Sequence, residues 1–339
     1  MSPRWDDVNA RARGLATHLV DRARLAQLAS APDLPALAAR LRDIGLTLAE
    51  TADPTGAELE LAVRRRAAGA LATLGRWTGR RPELVALLFA EEDRRSVRAL
   101  VRGAAERAPA AQRVAGLVPT PILPERALDE LARAPTPAAV AALLVAWRHP
   151  FGPPLAARAH SPQPDLYTLE LALDRAAAAW LTQVARRVGG LLAAFIRETI
   201  DVENALGAMA LAGVPTEVSP RDAFLAGGRA LSLELFERAV ATRDPADAAD
   251  RVARAFGSRA LAAALRQRRD DARAVEDAVL RARIAELEQL ARLDPLSPAP
   301  LLAFALALRA QTVDLHRVIW GVALGAPPAL VARELVTAA

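Results

Sequence analysis

The chain predicts an all-α protein made of three similar helical modules, and three observations carry that expectation. A polar helical signature recurs as EEDRRSVRAL, TIDVENALGAM and QTVDLHRVIWG, anchored at Asp93, Asp201 and Asp314, and a repeat spacing of about 110 residues points to internal triplication. The residues are 53% hydrophobic but only 4% aromatic, and the apolar share is mostly Ala and Leu, both good helix formers. Val and Ile nowhere alternate with polar residues for the length a strand needs.

Two further blocks precede each anchor in the same order. The first reads LAQLASAPDLPALAARL from Leu25, LDELARAPTPAAVAALL from Leu128 and FERAVATRDPADAADRV from Phe236. The second reads LAVRRRAAGAL from Leu61, LALDRAAAAWL from Leu171 and AVLRARIAEL from Ala278. Punctuation sets the limits. Gly116 opens GLVPTPILP, Gly213 opens GVPTEVSPRD with Pro215 inside it, and Gly325 is followed by Pro327 and Pro328, all dense in helix-stopping residues. The expected modules are residues 1–116, 117–222 and 223–339. A chain of 339 residues can bury on the order of three quarters of its unfolded surface, so these modules can share a substantial core.

The anchor segments show the clearest helical period. In the third copy Leu301, Phe304, Leu308, Leu315, Ile319 and Val322 fall on one face, and in the second Leu192, Phe195, Val202, Leu206 and Met209 do the same. In the first copy Leu84, Leu87, Val97 and Val101 keep the phase, with Arg94 interrupting it. Each anchor helix is expected to bury one stripe and to expose its acidic residue on another. Asp93 with Ser96, Asp201 with Asn204, and Asp314 with Arg317 are i, i+3 neighbours. Two readings of these candidate positions stand open: polar pairs that fix module packing by hydrogen bonds, or three equivalent polar stripes that face a shared centre.

Between the first and second blocks of the middle module, RHPFGPPLAARAHSPQPD from Arg148 to Asp165 carries five prolines; it reads as an extended surface loop. The longest apolar runs, AAVAALLVAW ending at Trp147 and APLLAFALAL ending at Leu308, are half of the roughly 20 residues a membrane span needs and read as buried core helices. The opening MSPRWDDVNARAR lacks the apolar stretch of a signal peptide.

Several function classes are excluded by residue type. There is no Cys, so disulfides, thiolate metal sites and cysteine nucleophiles fall together, and a reducing compartment is compatible. All positive side-chain charge is Arg, without a single Lys; a coding bias accounts for that better than selection for guanidinium chemistry. Without Lys there is no Walker loop, and no G-x-G-x-x-G follows a strand. His18, His149, His160 and His316 are isolated from one another, so no zinc site is expected. Net charge is +5, from 44 basic and 39 acidic residues; the densest basic run, Arg64, Arg65 and Arg66, has no interleaved aromatics, so nucleic-acid binding is not expected. Asp270 and Asp271 invite comparison with helical synthases that bind magnesium diphosphate through D-D-x-x-D. Ala274 stands where the third carboxylate belongs, and Asp277, seven residues after Asp270, has no mirror on a facing helix. Neither a catalytic residue nor a cofactor or metal ligand is assigned.

Four stretches together resemble a known family, the C subunits of bacterial and archaeal V-type (A-type) ATPases, which are similar to the d subunit of the eukaryotic V-type ATPase. WDDVNARARGL followed by LVDRARLAQLASAPDLPALAARL is similar to its opening and first hairpin. LALDRA from Leu171 with FIRETIDVENAL ending at Leu206 resembles its central L-D-x-A-Y-F and I-D-x-x-N-L pattern. FLAGG from Phe224 is like its module-opening P-G-G turn, and PLSPAPLLAFALALRAQTVDLHRVIWGVALGAPP resembles its C-terminal block. The asparagine of the family's N-L-R pattern is kept at Asn204, while Ser96 and Arg317 stand in the other copies; Ala177 and Ala178 replace paired aromatics, and Gly321 is followed by Val322 in place of Lys.

The resemblance implies a pseudo-threefold funnel with a central cavity, a non-catalytic subunit seated at the cytoplasmic face on the ring of membrane rotor subunits. The cavity would hold the foot of the central stalk, and the anchor positions become candidates for stalk binding or inter-module bonding. Such a coupling subunit transmits torque during proton or sodium transport, and short, closely packed Ala- and Leu-rich helices supply the stiffness it needs. The repeat alone would also permit a generic helical scaffold unrelated to rotary ATPases.

Overall fold

The computed structural model describes residues 5–78, 81–160, 165–214, 219–267 and 271–337. Among them every regular element is a helix. The first third carries α1 (Asp6–Ala16), α2 (Arg22–Ala29), α3 (Leu34–Asp43), α4 (Gly56–Trp77), α5 (Pro82–Ala105) and α6 (Ala110–Val114). The middle carries α7 (Glu125–Arg133), α8 (Pro137–Ala146), α9 (Gly152–Ala159), α10 (Leu166–Val188) and α11 (Gly190–Leu211). The remainder carries α12 (Pro220–Ala223), α13 (Leu233–Val240), α14 (Pro245–Ala253), α15 (Arg259–Arg266), α16 (Ala272–Leu293), α17 (Ala299–Ala323) and α18 (Pro328–Arg333).

Repeated blocks become repeated helices. The first block forms the pairs α2–α3, α7–α8 and α13–α14, the second forms the long helices α4, α10 and α16, and the anchors lie on α5, α11 and α17. The second helix of each pair begins alike. Asp33 accepts from the Ala36 amide at 2.8 Å, Thr136 from Ala139 at 3.2 Å and Asp244 from Ala246 at 3.1 Å. Pro35, Pro137 and Pro245 occupy the first turns, where a missing N–H leaves no bond unmade. Each such cap stabilises its helix by about 1 kcal/mol. Gly116, Gly213 and Gly325 adopt positive φ (80°, 79° and 67°) where α6, α11 and α17 end, the left-handed exit that glycine takes without a Cβ clash. Pro215 lies outside the described residues.

The segment 148–165, expected as an extended loop, instead contains helix α9. Pro153 and Pro154 sit in its first turn, where a φ near −65° already fits a helix. Phe151, just ahead of the helix, is fully buried and meets Trp180 edge to face at 5.8 Å, and Leu155 is buried with it. Gly152 is required by closeness: a Cβ there would stand 2.5 Å from the Val145 nitrogen. Proline count misled because these prolines start a helix. Residues 161–164 lie outside the described residues.

The chain divides into two compact units, residues 1–88 with 283–339 and residues 89–282. In the first, α17 packs against α1, α2, α3, α4 and α18. Leu315, Val318 and Ile319 of α17 share one apolar core with Leu25, Leu28, Leu37, Leu41, Leu59 and Val63, so the N-terminal hairpin gets its core from the C-terminal anchor helix. Polar bonds join the same partners. Arg22 donates to the carbonyls of Ala332, Leu335 and Thr337 at 2.8, 3.0 and 2.7 Å, and Asn9 donates to those of Pro295 and Ser297 at 3.0 and 2.8 Å.

The second unit holds two apolar cores. One gathers Val97, Leu100 and Val101 of α5 with Leu128, Leu131, Val140, Leu144, Phe151 and Leu173. The other gathers Val202, Ala205 and Met209 of α11 with Phe236, Ala239, Val252, Leu265 and Val279. The apolar run ending at Trp147 is α8 and its following residue, and the run ending at Leu308 lies in α17. No helix among the described residues is long and apolar enough to cross a membrane.

Candidate functional site

All six anchor positions are buried. Asp93 and Asp314 are 0% exposed and Asp201 is 2% exposed, with Ser96, Asn204 and Arg317 buried beside them. The expectation that each anchor helix exposes its acidic residue is therefore corrected. A buried carboxylate must be hydrogen-bonded or neutral, and periodicity on the helix cannot reveal partners that lie elsewhere in the chain.

Asp201 is held by backbone amides alone. Its Oδ2 accepts from the amides of Arg229 and Ala230, both at 2.8 Å, and its Oδ1 accepts from Leu231 at 3.0 Å. One turn along α11, Asn204 donates through Nδ2 to the Leu225 carbonyl and accepts through Oδ1 from the Leu225 amide, both at 2.8 Å. The pair thus clamps residues 225–231 at both ends. Between the clamps lie Gly227 and Gly228 of FLAGG. Gly227 has φ +118°, and a Cβ on it would overlap Thr182 Oγ1. The glycine pair is what lets this turn close over α10 and α11.

The other two anchors repeat the device with different chemistry. Asp314 Oδ1 accepts from the Val336 amide at 2.6 Å, and Oδ2 accepts from the amide and hydroxyl of Thr337 at 2.8 and 2.6 Å. Arg317 donates to the Glu334 carbonyl at 2.5 Å and stands 3.8 Å from Asp314. Asp93 Oδ1 accepts from the Thr120 hydroxyl at 2.5 Å, and that hydroxyl accepts from the amides of Ile122 and Leu123 at 3.2 and 2.9 Å. In every copy a buried aspartate of the long helix therefore holds a turn that follows it by 22 to 30 residues.

The first copy is electrostatically distinct. Asp93 Oδ2 and the Ser96 hydroxyl have no hydrogen-bond partner among the described residues. Burial pushes the Asp93 carboxyl up to about 7, with the Thr120 bond opposing and Glu92 adding to the rise. One hydroxyl cannot solvate a carboxylate as three amides do.

Next to Asp93, Arg94 anchors an ionic network that sequence reading treats only as a break in the apolar phase. Its two Nη atoms donate to Glu203 of α11 at 3.1 and 3.2 Å, and it also reaches Glu91 at 2.5 Å and Asp174 of α10 at 3.5 Å. Arg98 bonds Asp174, and Arg102 bonds Glu170. Burial works against the Arg94 charge, but Glu91, Glu203 and Asp174 outweigh it and hold its pKa above the ordinary value. Burial raises Asp174 and Glu203 despite Arg94, so for these carboxyls desolvation wins over the ion pair. The one signal available in the sequence is the E-E-D-R-R run, which puts Glu91 and Arg94 at i, i+3.

The residues considered for metal chemistry do not assemble. Asp270 lies outside the described residues, Asp271 accepts from the Ala274 amide at 3.1 Å, and Asp277 is buried. Among the described residues no group of three or more His, Cys, Asp or Glu is arranged to hold a metal ion. His149 is buried against Phe151 at 4.6 Å, and burial pushes its pKa down to about 4.

A family model described as ATP synthase (C/AC39) subunit matches residues 8–334. No curated protein matches the chain.

Proposed function

Because this chain belongs to the ATP synthase (C/AC39) subunit family, we propose that it is the non-catalytic coupling subunit of a V/A-type rotary ATPase. In this reading it links the ring of membrane rotor subunits to the central stalk and transmits torque during proton or sodium transport. It works at the cytoplasmic face without a span or an active site of its own. The pseudo-threefold funnel, the stalk-holding cavity and the module limits 1–116, 117–222 and 223–339 belong to the same proposal.

The observation that supports it best is the threefold recurrence of a buried aspartate holding a turn. Torque transmission needs a body that does not shear, and a carboxylate bonded to amides inside a packed core resists the sliding of a turn on a helix. Asp93, Ser96, Asp201, Asn204, Asp314 and Arg317 enter this reading as the groups that hold the turns a stalk subunit meets. The test is affinity capture of the full chain from native membranes. Co-purification of ring and stalk subunits supports the coupling role; recovery of neither overturns it.

A further inference from the structure

Within the second unit, the end of α10, the start of α11 and the turn held by Asp201 enclose a cleft of about 830 Å³. Three arginines line it from three separate elements: Arg186 in the last turn of α10, Arg197 on α11, and Arg229 on the turn. All three are exposed, and none forms an ion pair among the described residues. That sets them apart from Arg94, Arg98 and Arg102, which are matched to carboxylates. Three arginines face two carboxylates in this lining, so positive side chains are in excess there. Asp201 has committed both oxygens to backbone amides, which leaves Glu198 as the other carboxylate of the lining.

The junction of α10 and α11 also borders the cleft. Gly189 and Gly190 begin α11 with φ of +63° and +52°, a Cβ on either would meet nothing within 4 Å, and no side chain caps the helix. Gly189 closes α10 and opens α11, so two helix ends of opposite partial charge meet there and the arginine side chains set the sign of the cleft. With three guanidiniums and two carboxylates around one concavity, a bound anion offsets the excess of positive charge.

We infer that this cleft binds a small soluble polyphosphate anion. Guanidinium groups pair with phosphate oxygens in a planar, two-bond fork that a single ammonium cannot reproduce. A concavity of this size falls in the range of roughly 300 to 1,000 Å³ that small ligands occupy. Asp201 takes part as a positioning residue, because its bonds to the 229–231 amides fix where Arg229 stands. Anion binding here is independent of the coupling role and can hold or fail separately from it.

Titration calorimetry on the full chain with sodium tripolyphosphate at physiological salt tests the inference. One saturable site is expected, and Arg186→Gln, Arg197→Gln and Arg229→Gln combined should weaken it at least tenfold with helicity unchanged. Arg133→Gln, also exposed and without an ion pair but on α7, should leave affinity within twofold. No saturable binding at millimolar tripolyphosphate, or equal affinity in the triple variant, overturns the inference. So does a polyglutamate peptide that binds more tightly than tripolyphosphate. Vesicles bearing phosphoinositide headgroups distinguish the phosphate source: binding to vesicles that free tripolyphosphate fails to compete also overturns it.

Discussion

Asp201 Oδ1 occupies the space in which a Cβ on Gly228 would stand. Residue 228 must therefore be glycine for as long as the carboxylate keeps its three amides. Gly228→Ala forces either the turn or α11 to move, and should destabilise the chain by about 2–4 kcal/mol. Asp201→Ala leaves three amides without their acceptor, one of them on buried Leu231, with a cost in the range of about 2–5 kcal/mol. Because the two changes break one contact, the double variant should lose clearly less than the sum of the singles. Urea denaturation of all three variants reads this, and strict additivity would show that the turn is not held by the carboxylate.

Asp93 makes stability depend on pH in a direction opposite to that of an ion-paired aspartate. Its folded pKa of about 7 lies above the ordinary value of 3.8, so between those values the folded chain binds a proton that the unfolded chain has released. Its contribution is fully present below about pH 4 and declines as pH rises to about 7, at up to about 1.4 kcal/mol per pH unit. Asp93→Asn removes that slope. Relative to the parent, the variant should gain stability steadily from about pH 5 to pH 7 and level off above it. Comparing the two proteins at each pH cancels the contributions of Asp174 and Glu203, which burial also raises. Melting temperatures across that range measure it, and parallel curves would place the Asp93 pKa near its ordinary value.

The helical architecture was legible because two periods coincide in this chain, the 3.6-residue period of each apolar face and the long repeat of whole blocks. Caps such as Asp33 and Thr136 could be read from a polar residue one or two positions ahead of a proline. Partners of the anchor aspartates could not. Amphipathic logic sends a carboxylate to the surface, and only the fold brings the amides of 229–231 or 336–337 onto α11 and α17. Arg94 escaped for the same reason, since Asp174 and Glu203 lie 80 and 109 residues away in sequence. The prolines around α9 misled because Pro153 and Pro154 stop a helix in its interior and start one in its first turn.

Arg94 carries its network as a shared cation, so its loss strands more than one carboxylate. With its side chain 15% exposed and its partners 26% to 56% exposed, solvent screens part of each pair, and Arg94→Met should cost about 1–3 kcal/mol rather than the larger figure for a fully buried pair. Glu203→Gln in the same background should recover part of the loss, because the variant no longer buries an uncompensated charge. High salt should narrow the gap between parent and Arg94→Met. Denaturant midpoints at low and high salt check both statements, and a gap that widens with salt would rule out an electrostatic origin.

Residues 335–337 are held from two sides, by Asp314 through the amides of 336 and 337 and by Arg22 through the carbonyls of 335 and 337. Leu335 is also a buried member of the core that α17 shares with α2, α3 and α4. Truncation after Glu334 thus removes an apolar plug and leaves Asp314 buried without its acceptor bonds satisfied and Arg22 short of two carbonyls. A loss of about 3–5 kcal/mol follows from the core deletion and the stranded carboxylate together. Asp314→Asn in the truncated chain should return part of it, because a neutral amide is cheaper to leave unbonded than a charge. Amide exchange should quicken in α2 and α17 while the core of α13 and α14, in the other unit, keeps its protection. Uniform loss of protection in both units would mean that the C-terminal segment stabilises the whole chain rather than the core it touches.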